Sequence, residues 1–110
     1  MRALLTVAAS AALLSFAGGA AAADPAAGKA IAEKVCGACH GVDGNKPVAP
    51  ENPILAGQYA DYLVKALSDY KSGKRANPVM KAFAEQLKKQ DIEDVAAWFS
   101  SQQSNLHFQR

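Results

Sequence analysis

Cysteine, histidine and methionine are scarce in this 110-residue chain, with two of each, and there is one tryptophan. Charge of either sign is also in short supply: 12 Lys+Arg stand against 10 Asp+Glu, a formal net charge of +2. So small an excess excludes the strongly basic surface that nucleic acid or an anionic membrane would demand. Bulky apolar residues are few once the first 23 positions are set aside. Of the remaining 87 residues, only 17 are Val, Ile, Leu or Phe. That is close to the composition at which chains fail to fold alone, though without the high net charge that accompanies disorder. There is no convincing strand pattern, no internal repeat and no linker. The length suits one domain, and a domain this small buries only about 60% of its unfolded surface. The deficit predicts that something other than side chains completes the core.

The apolar residues that are present crowd the start. Arg2 precedes an apolar stretch from Leu4 to Phe16, and Gly18, Gly19 and Ala20 to Ala23 follow as small residues. This is the pattern of a secretory leader cleaved after Ala23. A transmembrane anchor would need about 20 apolar residues, and the bulky run stops short of that. No cysteine lies near the cleavage point, which argues against a lipid anchor there. The expected domain is residues 24–110, exported to the periplasm.

Export places the two cysteines in an oxidising compartment, where a disulfide is the default. Cys36 and Cys39 enclose only two residues, however, and a bridge over so short a loop removes little chain entropy. The string Cys36-Gly37-Ala38-Cys39-His40 has instead the C-x-x-C-H spacing of covalent c-type haem attachment. Two thiols one helical turn apart can add across the two vinyl groups on one edge of the macrocycle. The next residue then projects an imidazole toward the iron. Small Gly37 and Ala38 let the porphyrin edge approach the backbone. A thioredoxin-like redox pair would follow a strand, and none precedes Cys36. Zinc needs four ligands, or three and water. The candidates Cys36, Cys39, His40 and His107 fit poorly because His40 adjoins Cys39.

With the leader removed, Met80 is the only methionine, forty residues beyond His40. A thioether opposite an imidazole raises the reduction potential and suits electron transfer. A lone methionine is commonly core filler; the C-x-x-C-H upstream reverses that reading. His107 is the rival ligand, but it sits in a polar tail. The ring nitrogen of His40 not bound to iron needs a hydrogen-bond acceptor, and carbonyls of the Pro47–Pro53 loop are the nearest in sequence.

Four helices are expected. The first runs from about Pro25 to Ala38, with Asp24 as N-cap and Pro25 in the first position. Its apolar stripe is Ala27, Ile31 and Val35, and Gly28 beside the stripe permits a close helix crossing. A turn-rich loop from Gly41 to Gly57 follows; such length without secondary structure is uncommon unless functional. The second helix runs from about Tyr59 to Ser72, striped with Tyr59, Tyr62, Leu63, Ala66, Leu67 and Tyr70. A short third helix spans Val79–Leu87. The fourth spans about Asp91–Gln102 with Ile92, Val95, Ala96 and Phe99 inward, and Trp98 or Phe99 is expected over Gly28.

These residues together resemble the class I bacterial c-type cytochromes, above all the small periplasmic ones of the c4, c5 and c553 type. The resemblance runs over nearly all of residues 24–102. Its anchors are Cys36 to Gly41, Asp43-Gly44-Asn45, Pro53 to Gln58, Tyr62-Leu63, Tyr70 to Arg75, Met80 and the Asp91–Phe99 segment. It implies an all-α cytochrome c fold, about four helices wrapped around one covalently bound haem c. It implies thioethers at Cys36 and Cys39, axial ligands at His40 and Met80, and a Pro53 carbonyl that accepts from His40. Lys88 departs from the family, where a Ser or Thr N-cap often opens the last helix. Family members with two such domains exist; one C-x-x-C-H is present here.

The expected function is outer-sphere shuttling of single electrons in the periplasm, without enzymatic acid, base or nucleophile. The partners would be redox proteins, a reductase on one side and a terminal oxidase, peroxidase or other acceptor on the other. Nucleic acid and a membrane anchor are not expected, and the chain would be a monomer or weak dimer. Gly37, Ala38 and the flanks of Met80 would frame the exposed haem edge. Lys46, Lys74, Lys81, Lys88 and Lys89 could rim it, and transient redox contacts need only small interfaces. The alternative is a haem-based sensor of diatomic gases in which Met80 is displaced. A peroxidase is a third reading, but no distal His-Arg pair is identifiable.

Overall fold

The computed structural model describes residues 21–106. Most of the segment read as a leader, and His107, lie outside the described residues. The helices are α1 (Pro25–Ile31), α2 (Gly37–His40), α3 (Ala60–Ser72), α4 (Pro78–Ala84) and α5 (Lys89–Ser100). A five-residue π-helical segment, Ala32–Cys36, joins α1 to α2, so residues 25–40 form one continuous helical run. Four helical stretches result, and no strand occurs among the described residues. Among them, too, no helix is long and apolar enough to cross a membrane.

Local chemistry sets each start. The Asp24 carboxylate accepts from the Ala26 amide at 2.9 Å, and Pro25 follows in the first turn. Asn77 does more for α4: its side-chain oxygen accepts from both Val79 and Met80 amides at 3.1 Å. The last helix begins two residues before the expected Asp91. Lys88 has no side-chain acceptor to offer, but Asp91 reaches back to the Lys88 amide at 2.8 Å. That is one half of a capping box, supplied from the third helical position. The short helix ends at Ala84 rather than Leu87, although Leu87 is still buried.

The frame of the molecule is the crossing of α1 over α5. A β-carbon built on Gly28 would lie 2.0 Å from the Asp94 carbonyl oxygen and 3.0 Å from Trp98 Cβ. No side chain fits there, which answers why a helix-weakening glycine stands at that position. The seam is narrower than the expected apolar stripe: Gly28 and Ala32 are its buried residues, while Ala27, Ile31 and Val35 are half-buried beside it. Trp98 packs at Gly28. Phe99 turns the other way, to Gly44, where a β-carbon would meet Phe99 Cδ1 at 2.9 Å and the Ala56 amide nitrogen at 2.7 Å.

The loop between α2 and α3 is tied down along its length. Lys46 and Val48 amides donate to the carbonyls of His40 and Cys39, and the Leu55 amide donates to that of Gly44. Trp98 Nε1 donates to the Val42 carbonyl at 2.7 Å. α3 packs against both α5 and α4. The core is thin. Four of its nine buried apolar residues are alanines, and Val95 alone among the larger side chains is under 2% exposed.

Candidate functional site

The side chains that the thin core lacks are replaced by a space. A cavity of about 650 Å³ opens between α2, the following loop, α3, α4 and α5. Its walls are largely apolar, with Leu63 and Leu67 from α3 and Val95 and Phe99 from α5. A cavity of that size is in the range that holds a cofactor.

Five residues singled out in the sequence border this one space: Cys36, Cys39, His40, Pro53 and Met80. Cys36 is the last residue of the π segment and Cys39 lies in α2. Neither is in a disulfide. Burial pushes the Cys36 thiol up to about 11, because the low-dielectric wall disfavours a thiolate.

His40 ends α2 and is buried. Its Nδ1 lies 2.8 Å from the Pro53 carbonyl oxygen. A carbonyl can only accept, so Nδ1 carries a proton, and in the neutral ring the lone pair is then on Nε2. Such a bond fixes both the tautomer and the plane of a ligating imidazole. The loop is held close by a second contact: Asn52 Nδ2 donates to the Cys39 carbonyl at 3.2 Å. Met80 stands in the first turn of α4, its backbone amide fixed by Asn77.

Among the described residues, no group of three or more His, Cys, Asp or Glu is arranged to hold a metal ion. The donor set on the cavity wall is instead two thiols, one imidazole nitrogen and one thioether sulfur. That set and the apolar walls fit a haem, which the two thiols, the imidazole and the thioether would hold.

Two features of the site were not foreseen as such. Arg75, from the turn between α3 and α4, lines the cavity, stacks on the Tyr70 ring at 4.8 Å and donates to the Tyr62 hydroxyl at 3.3 Å. None of the five lysines expected at the rim lines it. Lys81 is paired with Glu85 at 2.6 Å. The signal for Arg75 was available in the tyrosine spacing of α3, which aims Tyr62 and Tyr70 at the cavity. Tyr59, expected in the same stripe, precedes the helix and is exposed.

The sequence matches the family model described as cytochrome c over residues 25–103. Cytochrome c4 of Pseudomonas aeruginosa is 51% identical over 72 residues, 66% of this chain and 35% of that protein. Cytochrome c-554(548) of Halomonas halodenitrificans is 42% identical over 71 residues, 62% of this chain and 84% of that protein. The crystal structure of reduced recombinant cytochrome c4 from Pseudomonas stutzeri superposes with a TM-score of 0.70 at 44% identity. It covers 77% of this chain and 48% of that one. The chain thus spans well under half the length of the cytochrome c4 sequences it matches. From the family match over most of its length, the relatives and the shared fold, the chain belongs to the cytochrome c family.

Proposed function

We propose that the chain is a periplasmic carrier of single electrons, in which Cys36 and Cys39 would hold one haem c and His40 and Met80 would ligate its iron. Residues 1–23 are then a leader removed on export. One observation carries the reading: the two thiols, the imidazole with its free Nε2 and the lone thioether of the domain border a single apolar cavity. When bound, the haem supplies a one-electron iron couple. The chain's part is to hold and to shield. Pro53 keeps the His40 ring in one tautomer and one plane, so little rearrangement accompanies a change of charge. Leu63, Leu67, Val95 and Phe99 exclude water. The soft sulfur of Met80 favours the reduced state over a harder ligand. A redox protein is the partner such a site implies, meeting it at the cavity mouth beside Arg75 and the exposed Val79 and Phe83.

The test is to express the full chain in a bacterial host that attaches haem to C-x-x-C-H sequences. A low-spin red protein is expected, with mass added by one haem that acid extraction does not remove. Its ferric form should show the weak near-infrared band of sulfur-to-iron charge transfer, and Met80→Ala should abolish that band while leaving the haem attached. A colourless product, or a high-spin wild type, would overturn the assignment.

A further inference from the structure

Asp94 is a buried carboxylate that the haem site does not use. It is 6% exposed, on the face of α5 that meets α1. Its Oδ1 accepts from the Asp24 backbone nitrogen at 2.8 Å and from Gln90 Nε2 at 3.0 Å. Among the described residues no Lys, Arg or His reaches it: Lys29, the basic residue of α1, is 3.9 Å from Glu33 and lies over the Trp98 ring. A buried carboxylate faced only by neutral donors is an expensive arrangement, and such groups ordinarily have a cation.

The position of residue 24 is fixed by the helix crossing. Gly28 sits against the Asp94 carbonyl with no room for a side chain. Asp24 is one turn earlier, its carbonyl accepting from the Gly28 amide at 3.0 Å. The crossing therefore delivers the backbone nitrogen of residue 24 to the carboxylate of residue 94. That nitrogen is also the one at which the leader is expected to end.

We propose that Asp94 is a receptor for the amino terminus created by processing. The proposal rests on the export reading above. Hydrolysis of the Ala23–Asp24 peptide bond by a signal endopeptidase consumes one water. It leaves a carboxylate on Ala23 and a primary amine on Asp24, which takes up a proton at neutral pH. A neutral amide with one hydrogen becomes an ammonium with three, at the same site and beside the same oxygen. The hydrogen bond becomes a charge-assisted one, roughly twice as strong as its neutral counterpart. The α1–α5 frame is thereby completed electrostatically only in the processed chain. Cleavage one residue to either side would place the charge away from Asp94.

The test is a cycle on the haem-loaded protein. One form begins at Asp24 with a free amine, a second is Nα-acetylated at Asp24, and a third carries one extra alanine before it. Each is made with Asp94 and with Asp94→Asn. In the Asp94 background, acetylation or extension is expected to raise the unfolding equilibrium constant by about tenfold. In the Asp94→Asn background the same changes should matter less than twofold. A second measurement does not depend on the variant folding. Acylation of the terminal amine by an amine-reactive reagent should be slower in the native protein than in denaturant, as expected of an amine held in a partly buried charge-assisted hydrogen bond. Equal stability of all three Asp94 forms, equal acylation rates, or a natural terminus away from Asp24 would each overturn the proposal. Haem absorbance is read in every sample, so a failure of the haem assignment appears as lost colour and is distinct from a failure here.

Discussion

Arg75 is the cation on the wall of the cavity, and its side chain is held in place by Tyr62 and Tyr70 rather than by a carboxylate. A positive charge beside the iron disfavours the ferric state, which carries one charge more than the ferrous. Arg75→Gln is therefore expected to lower the reduction potential. The site is partly open to water, so the effect is screened. We expect about a threefold change in the ferric-to-ferrous ratio, roughly 30 mV for one electron. Arg75→Lys should retain more than half of the wild-type value, and the difference between wild type and Arg75→Gln should shrink in high salt. Redox titration monitored by absorbance at two ionic strengths checks all three. At this scale the sequence was most readable where residue type and spacing mark a position, as at Cys36, Cys39, His40 and Met80, which border one cavity. Arg75 and Asp94 were harder to see because a charged residue on a helix or turn is ordinarily solvated. Only the packing of α1 on α5 and of the two tyrosines against the cavity distinguishes these two from their neighbours.

The crossing of α1 and α5 gives the sharpest prediction for an element. Gly28→Ala removes a residue that costs helix stability, a gain of about 1 kcal/mol if nothing else changed. The added methyl would sit 2.0 Å from the Asp94 carbonyl oxygen, and backbone cannot swing aside as a flexible side chain does. Overpacking of that kind costs about 3 kcal/mol. The clash wins by about 2 kcal/mol, which for a domain of this size lowers Tm by roughly 10 °C. The haem spectrum should persist below the transition, because α2 and α4 carry the two proposed ligands, His40 and Met80. Thermal unfolding followed by circular dichroism, with haem absorbance in parallel, checks it; an unchanged Tm would mean that α1 can lift from α5 at no cost. The helices and their order followed from capping residues and periodicity, but their joints did not. The π segment Ala32–Cys36 keeps an apolar spacing that an α-helix shares, so nothing in the pattern marks the wider turn. π turns of this kind are frequent at functional sites, and this one ends on Cys36. The early start of α5 was hidden because its cap comes from Asp91 and not from the residue at the N-cap.

For the molecule as a whole, composition was the best guide. A chain with so few bulky side chains was expected to need a partner for its core, and the cavity beside Leu63, Val95 and Phe99 is where that partner is wanted. The consequence is a strong dependence of folding on haem. A protein interior is packed as densely as an organic crystal, and these walls cannot close on one another without moving α3 and α4 relative to α5. Water in the space would face apolar walls that offer it few partners. Replacing Cys36 and Cys39 together by alanine removes both proposed covalent anchors while changing little else in the helix. The exported double variant is expected to be colourless, to lose most of its far-ultraviolet helix signal and near-ultraviolet aromatic signal, and to show no cooperative thermal transition. Added free haem should restore part of the helix signal, since His40, Pro53 and the apolar walls remain. The single variants should fall between, each holding haem by one thioether and unfolding at a lower temperature than wild type. A double variant that melted cooperatively near the wild-type temperature without haem would mean that the four helices pack adequately by themselves. The cavity would then be an incidental gap rather than the centre around which this chain is built.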